Sequence, residues 1–489
     1  MRTRTKRFSA ALCALGLAVT AAACGSSGNG GDGATGGGDA SQATCPLSAL
    51  PKSGAKVKIS LWYGGLSGKS KSAMTSMVKA YNASQDRVEV TASDQGAAYT
   101  QVLTKYTAAI PNRIPNIVYA ESSMAQVLVD SGTIIPGGAC ADEGVVPLDH
   151  IVPVVKAFYT LDGAYVPGAV NVSTPQFYYN KKQFQEAGLP LEAPATLDEV
   201  RADAEKLKAA GISGLEWPMS MTVNPWYLET LLGGIGQHMV DNDNGHSGHA
   251  TKAIFDTPDT VKVMNQLKSM YDDGLVAKVS NTPGQIDQYL NLAQGKSTML
   301  FETSTAATTI EAFLGGKLTA EELEGGDLGQ LSQSVTVAPG FGPMPGVEKA
   351  GQVPVSGGAY YVSNAGNDPQ QAAAMDFIRY VNQIPQQVQW LTEGSYLPSN
   401  DQVTEQPEVK KFFEGQIAGL SLRTAAAQLA AVPPENPGPM VGPNDQYIDI
   451  LQKMMESVFL KDADPAQALA KAEADVTKAI QDYNSSNGF

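Results

Sequence analysis

Short apolar runs alternate with helically spaced stretches along almost the whole chain, and no other feature limits the fold as strongly. Lys56-Val57-Lys58-Ile59-Ser60-Leu61 alternates as a strand with one solvated face, and a glycine-rich turn then leads into Met74, Met77, Val78 and Tyr81 at helical spacing. Further strands are expected at Val88–Val90, Ile117–Tyr119, Thr298–Phe301 and Ala359–Val362. Helix starts are written out between them. Thr196-Leu197-Asp198-Glu199 is a capping box whose helix should run to Gly211. Thr257-Pro258, Asp368-Pro369 and Asp464-Pro465 each place a capping side chain before proline at the first helical position. The last of these helices carries Leu469, Ala472, Val476, Ala479 and Tyr483 as a core-facing stripe. Such alternation builds α/β layers, and the spread of strands predicts two lobes, each with its own sheet. Proline and glycine cluster at 339–346 and 433–443, expected as hinge-adjacent or cleft-lining loops.

The first residues belong to a different kind of segment. Arg2, Arg4, Lys6 and Arg7 precede an apolar run from Phe8 to Ala23, shorter than the roughly 20 residues of a spanning helix. This reads as a secretory signal over 1–23. Cys24, directly after Ala21-Ala22-Ala23, resembles the lipidated cysteine of a bacterial lipobox, with Ala21 where leucine is usual; the plainer alternative is a cleaved signal with an incidental cysteine. Half of residues 25–40 are glycine, so no core can form there. Residues 24–53 are therefore expected to be a lipidated cysteine and flexible tether, with a reach of roughly 25 Å between Cys24 and Cys45. With Cys13 in the leader and Cys24 as anchor, Cys45 and Cys140 remain, and an even pair outside the cell reads as a disulfide. Closing that loop stabilises by at most about 4.7 kcal/mol in the chain-entropy picture.

Composition then excludes whole classes. At 43% hydrophobic and 17% charged residues the chain has enough apolar material for large cores. The formal charge is −15; without the four basic residues of the leader, 30 Lys and Arg face 49 Asp and Glu, a balance of −19. A body this acidic repels phosphate polymers, so no nucleic-acid partner is expected.

Catalytic and metal signatures fail on inspection. Gly64-Gly65-Leu66-Ser67-Gly68-Lys69-Ser70 sits where a phosphate loop would, but Tyr63 replaces the glycine that the loop requires. A glycine-rich turn into a helix start is the simpler reading. Asp241-Asn242-Asp243-Asn244-Gly245 opens like a calcium loop, yet its twelfth position is Lys252 instead of glutamate. His246 and His249 have no third ligand beside them, so no metal is expected. No G-x-S-x-G elbow occurs. Nothing marks a pair of carboxylates for glycoside hydrolysis, although 49 acidic residues leave that class open.

Several segments in order resemble the extracellular solute-binding proteins of sugar-type ABC importers. They are Ile59-Ser60-Leu61-Trp62-Tyr63; Ser173-Thr174-Pro175-Gln176-Phe177-Tyr178-Tyr179-Asn180-Lys181; Phe255-Asp256-Thr257-Pro258 with Gly274-Leu275; Gly357-Gly358-Ala359; and Gly394-Ser395-Tyr396-Leu397-Pro398. Within that family the likeness is greatest to the glycerol-3-phosphate and glycerophosphodiester binders. The resemblance implies a two-lobed periplasmic-binding-protein-like α/β fold with a hinge and interlobe cleft, lobe 1 taking 54–168 plus 297–352 and lobe 2 taking 169–296 plus 353–489. It implies ligand contacts at Tyr63, Tyr99, Glu121, Ser173, Trp226, Ser304, Gly358 and Tyr396. It implies no enzyme activity and no cofactor. The implied partners are a sugar or related polyol, the membrane subunits of an importer, and the outer face of the cell membrane through a lipid anchor, with the protein a monomer.

The residue types suit that ligand class on their own chemistry. Tyr99, Trp226 and Tyr396 offer flat apolar faces with a polar tip, and Glu121 offers two acceptors to neighbouring hydroxyls. Gly358 would permit close backbone approach. Phosphate-binding members of the resembled group use an arginine in the late loop, but none follows Arg423 here. Bidentate arginine is the strong phosphate ligand, so the sequence favours a neutral sugar or weakly anionic polyol over glycerol-3-phosphate. The competing expectations are a glycerol-3-phosphate or glycerophosphodiester receptor, a secreted carbohydrate-active enzyme, and a structural or adhesion lipoprotein without a cleft.

Overall fold

Strand Val57–Tyr63 buries Ile59, Leu61 and Tyr63 on one face, as its alternation dictates. It lies next to the edge of a sheet ordered Leu397–Pro398, Ala169–Ser173, Ser356–Ser363, Ile117–Glu121, Val57–Tyr63, Val88–Asp94, with Ile134–Ile135 pairing the end of Ser356–Ser363. Val57–Tyr63 runs parallel to both neighbours, while Ser356–Ser363 is antiparallel to Ile117–Glu121 and Ala169–Ser173. A second sheet is ordered Val276–Val279, Trp217–Thr222, Ser297–Thr303, Pro175–Asn180, Pro339–Pro343. The computed structural model describes residues 43–279, 281, 287–314 and 338–489, all within one compact unit, Gly37–Phe489. The leader 1–23, Cys24 and residues 25–42 lie outside them.

The chain changes sheet at a single residue. Ser173 ends a strand of the first sheet, Pro175 begins one of the second, and Thr174 between them is fully buried. Thr174 is held by Ser304, whose N–H donates to its carbonyl at 2.8 Å, and by Gln428, whose Nε2 donates to its hydroxyl at 2.9 Å. The return passage lies between Pro343 and Ser356.

This pairing corrects the expected division of the chain. Ser297–Thr303, assigned to lobe 1, is antiparallel to Pro175–Asn180 in the second sheet. Ala169–Ser173, Ser356–Ser363 and Leu397–Pro398, assigned to lobe 2, belong to the first sheet. The partners of each strand are distant in sequence, and strand patterning says which face is buried but not which strand lies alongside.

Helices cover both sheets. Gly68–Ser84 buries Met74, Met77, Val78 and Tyr81 beside Val88–Asp94, and Asp368–Val381 packs on Val57–Tyr63. Asn367 caps the latter, one residue before the expected Asp368, and exchanges hydrogen bonds with Gln370. The Thr196 cap is present, accepting from Glu199 N–H at 3.2 Å, and its helix ends at Ala209. Ile417–Ala430 packs on Pro339–Pro343, while Asn444–Phe459 and Pro465–Asn487 pack together with Pro258–Asp272. No helix of the described residues is long and apolar enough to cross a membrane.

Residues 45–50, expected within the tether, pack on the body. Pro46–Ala49 forms a 3-10 turn against Asp368–Val381, and Leu50 is buried. Cys45 is disulfide-bonded to Cys140 with a Cα–Cα distance of 4.9 Å. The apolar contacts of Leu47 and Leu50 make residues 45–50 part of the body.

Candidate functional site

A cavity of about 420 Å³ opens between the carboxyl ends of strands from both sheets, within the size range of small-molecule sites. From the first sheet come Glu121 and Ser173, each the last residue of its strand, and Gly65 just beyond Tyr63. Tyr99 lines it from the first position of helix Tyr99–Ala109. Gly65 has φ +69°, and a Cβ there would come within 2.6 Å of Tyr99 Cδ2, so glycine is what lets the ring lie over this turn. The Tyr99 and Tyr396 hydroxyls are 3.0 Å apart, tying the two rings into one wall.

The opposite wall comes from the second sheet and its helices. Asn224 caps helix Pro225–Gly233, its side chain accepting from Trp226 N–H at 3.1 Å. That cap puts Trp226 in the first turn and Glu229 one turn on, so both reach the cavity from one helix face. Glu302 and Thr303 close this side at the end of Ser297–Thr303. Asn444 donates from Nδ2 to the Ser123 hydroxyl at 3.1 Å, joining the two walls.

The electrostatics are one-sided. Glu121, Glu229 and Glu302 line the cavity, and no lysine, arginine or histidine does so among the described residues. Burial pushes the Glu121 carboxyl up to about 7, with the charge of Asp445 adding to it. Glu229 is also pushed up to about 7 by burial, with the Glu121 charge reinforcing it and the Tyr447 hydroxyl, donating at 2.8 Å, opposing it. Glu302 is raised by burial and partly restored by Thr303 N–H and Gln288. Trp226 Nε1 is buried without an acceptor among the described residues.

The cavity brings together Tyr99, Glu121, Ser173, Trp226 and Tyr396. Three other expected contacts lie elsewhere. Tyr63 is buried in its strand and is not in the lining. Ser304 is fully buried against Thr174, and its neighbours Thr303 and Thr305 line the cavity instead. Gly358 faces Tyr119: a Cβ there would stand 2.2 Å from the tyrosine oxygen. Its neighbour Gly357 lines the cavity.

Residues 241–245 form a turn in which Asp241 accepts from Thr251 and Lys252, and no cluster of three metal-ligating side chains occurs among the described residues. His246 and His249 have separate partners, the Gly438 carbonyl and Asp130. Arg423 lies in a different surface pocket, beside Asp401, Glu405 and Lys410.

Residues 76–413 match the family described as bacterial extracellular solute-binding protein. The chain belongs to that family. Among relatives of this solute-binding protein, the sn-glycerol-3-phosphate-binding periplasmic protein UgpB of Brucella abortus (strain 2308) is 25% identical over 365 residues, 72% of this chain and 77% of the relative. UgpB of Rhizobium meliloti (strain 1021) is 24% identical over 425 residues, covering 84% and 91%. The cyclic alpha-maltosyl-1,6-maltose binding protein of Arthrobacter globiformis superposes with a TM-score of 0.68 at 20% identity, over 87% of this chain and 100% of that one. UgpB of Mycobacterium tuberculosis, solved with glycerophosphocholine, gives 0.68 at 18% identity over 87% and 99%. These neighbours establish the two-lobed solute-binding fold.

Sequence reasoning missed Glu229, Glu302, Phe158 and Tyr447 in the lining of this solute-binding protein. For Glu229 a signal existed: Asn224-Pro225 marks a helix start, and the residue three beyond Trp226 shares its face. Tyr447 arrives from a helix far along the chain, and no local pattern announces it.

Proposed function

We propose that this protein captures a small hydroxyl-rich solute, a sugar or related polyol, and delivers it intact to the membrane subunits of an ABC importer. One observation carries the reading. A cavity of ligand size takes its walls from both sheets, with aromatic faces at Tyr99, Tyr396 and Trp226 set against acceptors at Glu121, Glu229 and Ser173. Rings stack on the C–H faces of a polyol while carboxylates and hydroxyls take its O–H groups. One lobe would comprise the chain to Ser173 with residues 356–398, and the other residues 175–343 with the helices from 417 onward. A solute touching both walls favours the closed arrangement, which the importer would recognise. Cys24, lipidated, would hold the monomeric body at the outer face of the membrane. The relatives named for glycerol-3-phosphate and the neighbours named for maltose derivatives support the ligand class; the absence of a cation among the described lining residues speaks against a phosphate dianion.

The test is a thermal-shift and calorimetric screen of the mature protein over mono-, di- and oligosaccharides, polyols, glycerol-3-phosphate and glycerophosphodiesters. Binding should raise the melting temperature by mass action and change Trp226 fluorescence. Stabilisation by glycerol-3-phosphate equal to that by the best sugar would overturn the argument from the acidic lining. A hydrolase reading draws on Glu121 and Glu229, since glycosidases use two carboxyls. The screen therefore includes chromogenic glycosides, and release of the aglycone would replace the receptor reading.

A further inference from the structure

The aromatic walls and hydroxyl acceptors suit any polyol; the carboxyls ask for more. Glu229 is nine-tenths buried, and one oxygen accepts from Tyr447. Its other oxygen has no partner among the described residues, although Glu229 is part of the cavity wall. Glu121 also lines the cavity, and its carboxylate accepts no hydrogen bond from any described residue. Among the described residues, Asp445 from Asn444–Phe459, the phenols Tyr99, Tyr159, Tyr396 and Tyr447, and the two carboxyls themselves act electrostatically on Glu121 and Glu229. None is a cation. The Glu121 charge acts on Glu229, and holding two such carboxylates in one cavity wall without a cation is costly, a cost that a neutral sugar does not remove.

We infer that the solute carries an organic ammonium group together with its hydroxyls, as an amino sugar or an amino polyol does, with Glu121 and Glu229 holding the cation and Trp226, Tyr99 and Phe158 presenting ring faces to it. Rings attract a desolvated ammonium through their quadrupole, and carboxylates form the stronger, charge-assisted bonds. The net charge of −15 also draws cations toward the cleft. This inference rests on the solute-receptor reading above and narrows it. Because burial holds both carboxyls up to about 7, a cation should bind better as pH rises through neutrality and should expel protons as it binds.

The experiment is isothermal calorimetry on the mature protein with matched probes whose amine stays protonated at pH 8: 6-amino-6-deoxyglucose against glucose, 1-amino-1-deoxyglucitol against glucitol, and choline as a quaternary ammonium. At pH 8 the ammonium member of a pair should bind at least ten-fold more tightly than its neutral partner, and the advantage should shrink at pH 5.5. Near pH 7 the heat should depend on the buffer's ionisation enthalpy. Glu121→Gln should weaken the ammonium probe at least ten-fold and the neutral probe less than three-fold, with circular dichroism showing that the variant folds. Choline binding would assign the attraction to the charge alone; binding confined to the amino sugars would add a hydrogen-bonded N–H. A neutral probe binding as tightly as its ammonium counterpart at pH 8 overturns the inference and leaves the receptor reading standing. If no member of this set or of the wider solute screen binds, the receptor reading fails and the inference falls with it.

Discussion

At the scale of single residues, the site shows how small an error separates wall from core. Ser304 and Gly358 were expected at the ligand, yet Thr303, Thr305 and Gly357 line the cavity. The backbone alternates its faces, so a one-residue error turns a contact into a buried neighbour. Tyr99, Glu121 and Ser173, expected from the family resemblance, do line the cavity: Glu121 and Ser173 each end a strand of the first sheet, and Tyr99 opens a helix. Gly358 has a different duty, which can be measured. Gly358→Ala would drive a methyl into Tyr119, whose ring lies 6.2 Å from that of Tyr99. Overpacking of this kind costs about 1–3 kcal/mol, to be read as a lower denaturation midpoint, with loss of solute affinity as the Tyr99 wall shifts. Glu121 gives the second residue-scale prediction. Its folded value near 7 lies above the ordinary 4.5, so the folded state holds the extra proton and stability declines as pH rises through 7. Glu121→Gln should therefore stabilise the unliganded protein at pH 8, by up to about 3 kcal/mol, and change little at pH 4. Thermal melts at the two pH values check the sign.

At the scale of elements, helices were easier to read than strand partners. Thr196, Thr257 and Asp464 cap the helices they were expected to cap, because a capping side chain acts within one turn of its own position. Pro339–Pro343 was expected as a loop and is an edge strand of the second sheet. Its glycines suit close packing: a Cβ at Gly340 would strike the Tyr179 ring at 2.2 Å, and one at Gly342 would meet Ala193 at 2.1 Å. Propensity gives no hint of such contacts, and proline is tolerated at an edge. The helix Pro465–Asn487 holds a second surprise, since Tyr483 was expected in a core stripe. Its hydroxyl donates to Asp130 Oδ2 at 2.6 Å, while His249 Nε2 donates to Asp130 Oδ1 at 2.9 Å. Asp130 ends the helix Ala125–Asp130, whereas Tyr483 belongs to Pro465–Asn487, which packs on Asn444–Phe459 and Pro258–Asp272. The carboxylate raises the His249 value, so this contact stabilises fully below the unfolded value of about 6.5 and fades as pH climbs through the higher folded one. Asp130→Asn should cost about 1–3 kcal/mol at pH 5.5 and less at pH 8.5, as chemical denaturation at both values would show.

At the scale of the whole molecule, the layered α/β class followed from alternation, while the membership of each half did not. Short-range pattern records burial, whereas the placement of Ser297–Thr303 and Ser356–Ser363 depends on partners more than a hundred residues away. The disulfide offers a test at this scale. Cys45 and Cys140 are 95 residues apart, and neither lines the cavity. Cys45→Ser with Cys140→Ser should lower the melting temperature, within a ceiling of about 4.7 kcal/mol, and leave the dissociation constant for the best solute unchanged. A weakened dissociation constant would mean that the staple shapes the cavity from a distance.

The passage through Thr174 has a consequence for tolerance to change. Beyond it, Gln176 and Tyr178 meet Ser421 on one face of their strand, while Phe177 packs edge-on to Phe301 and Tyr179 tilts against Phe184 on the other. An insertion or deletion of a single residue at this point would exchange the two faces of Pro175–Asn180, so evolution and engineering alike must lengthen this protein somewhere else.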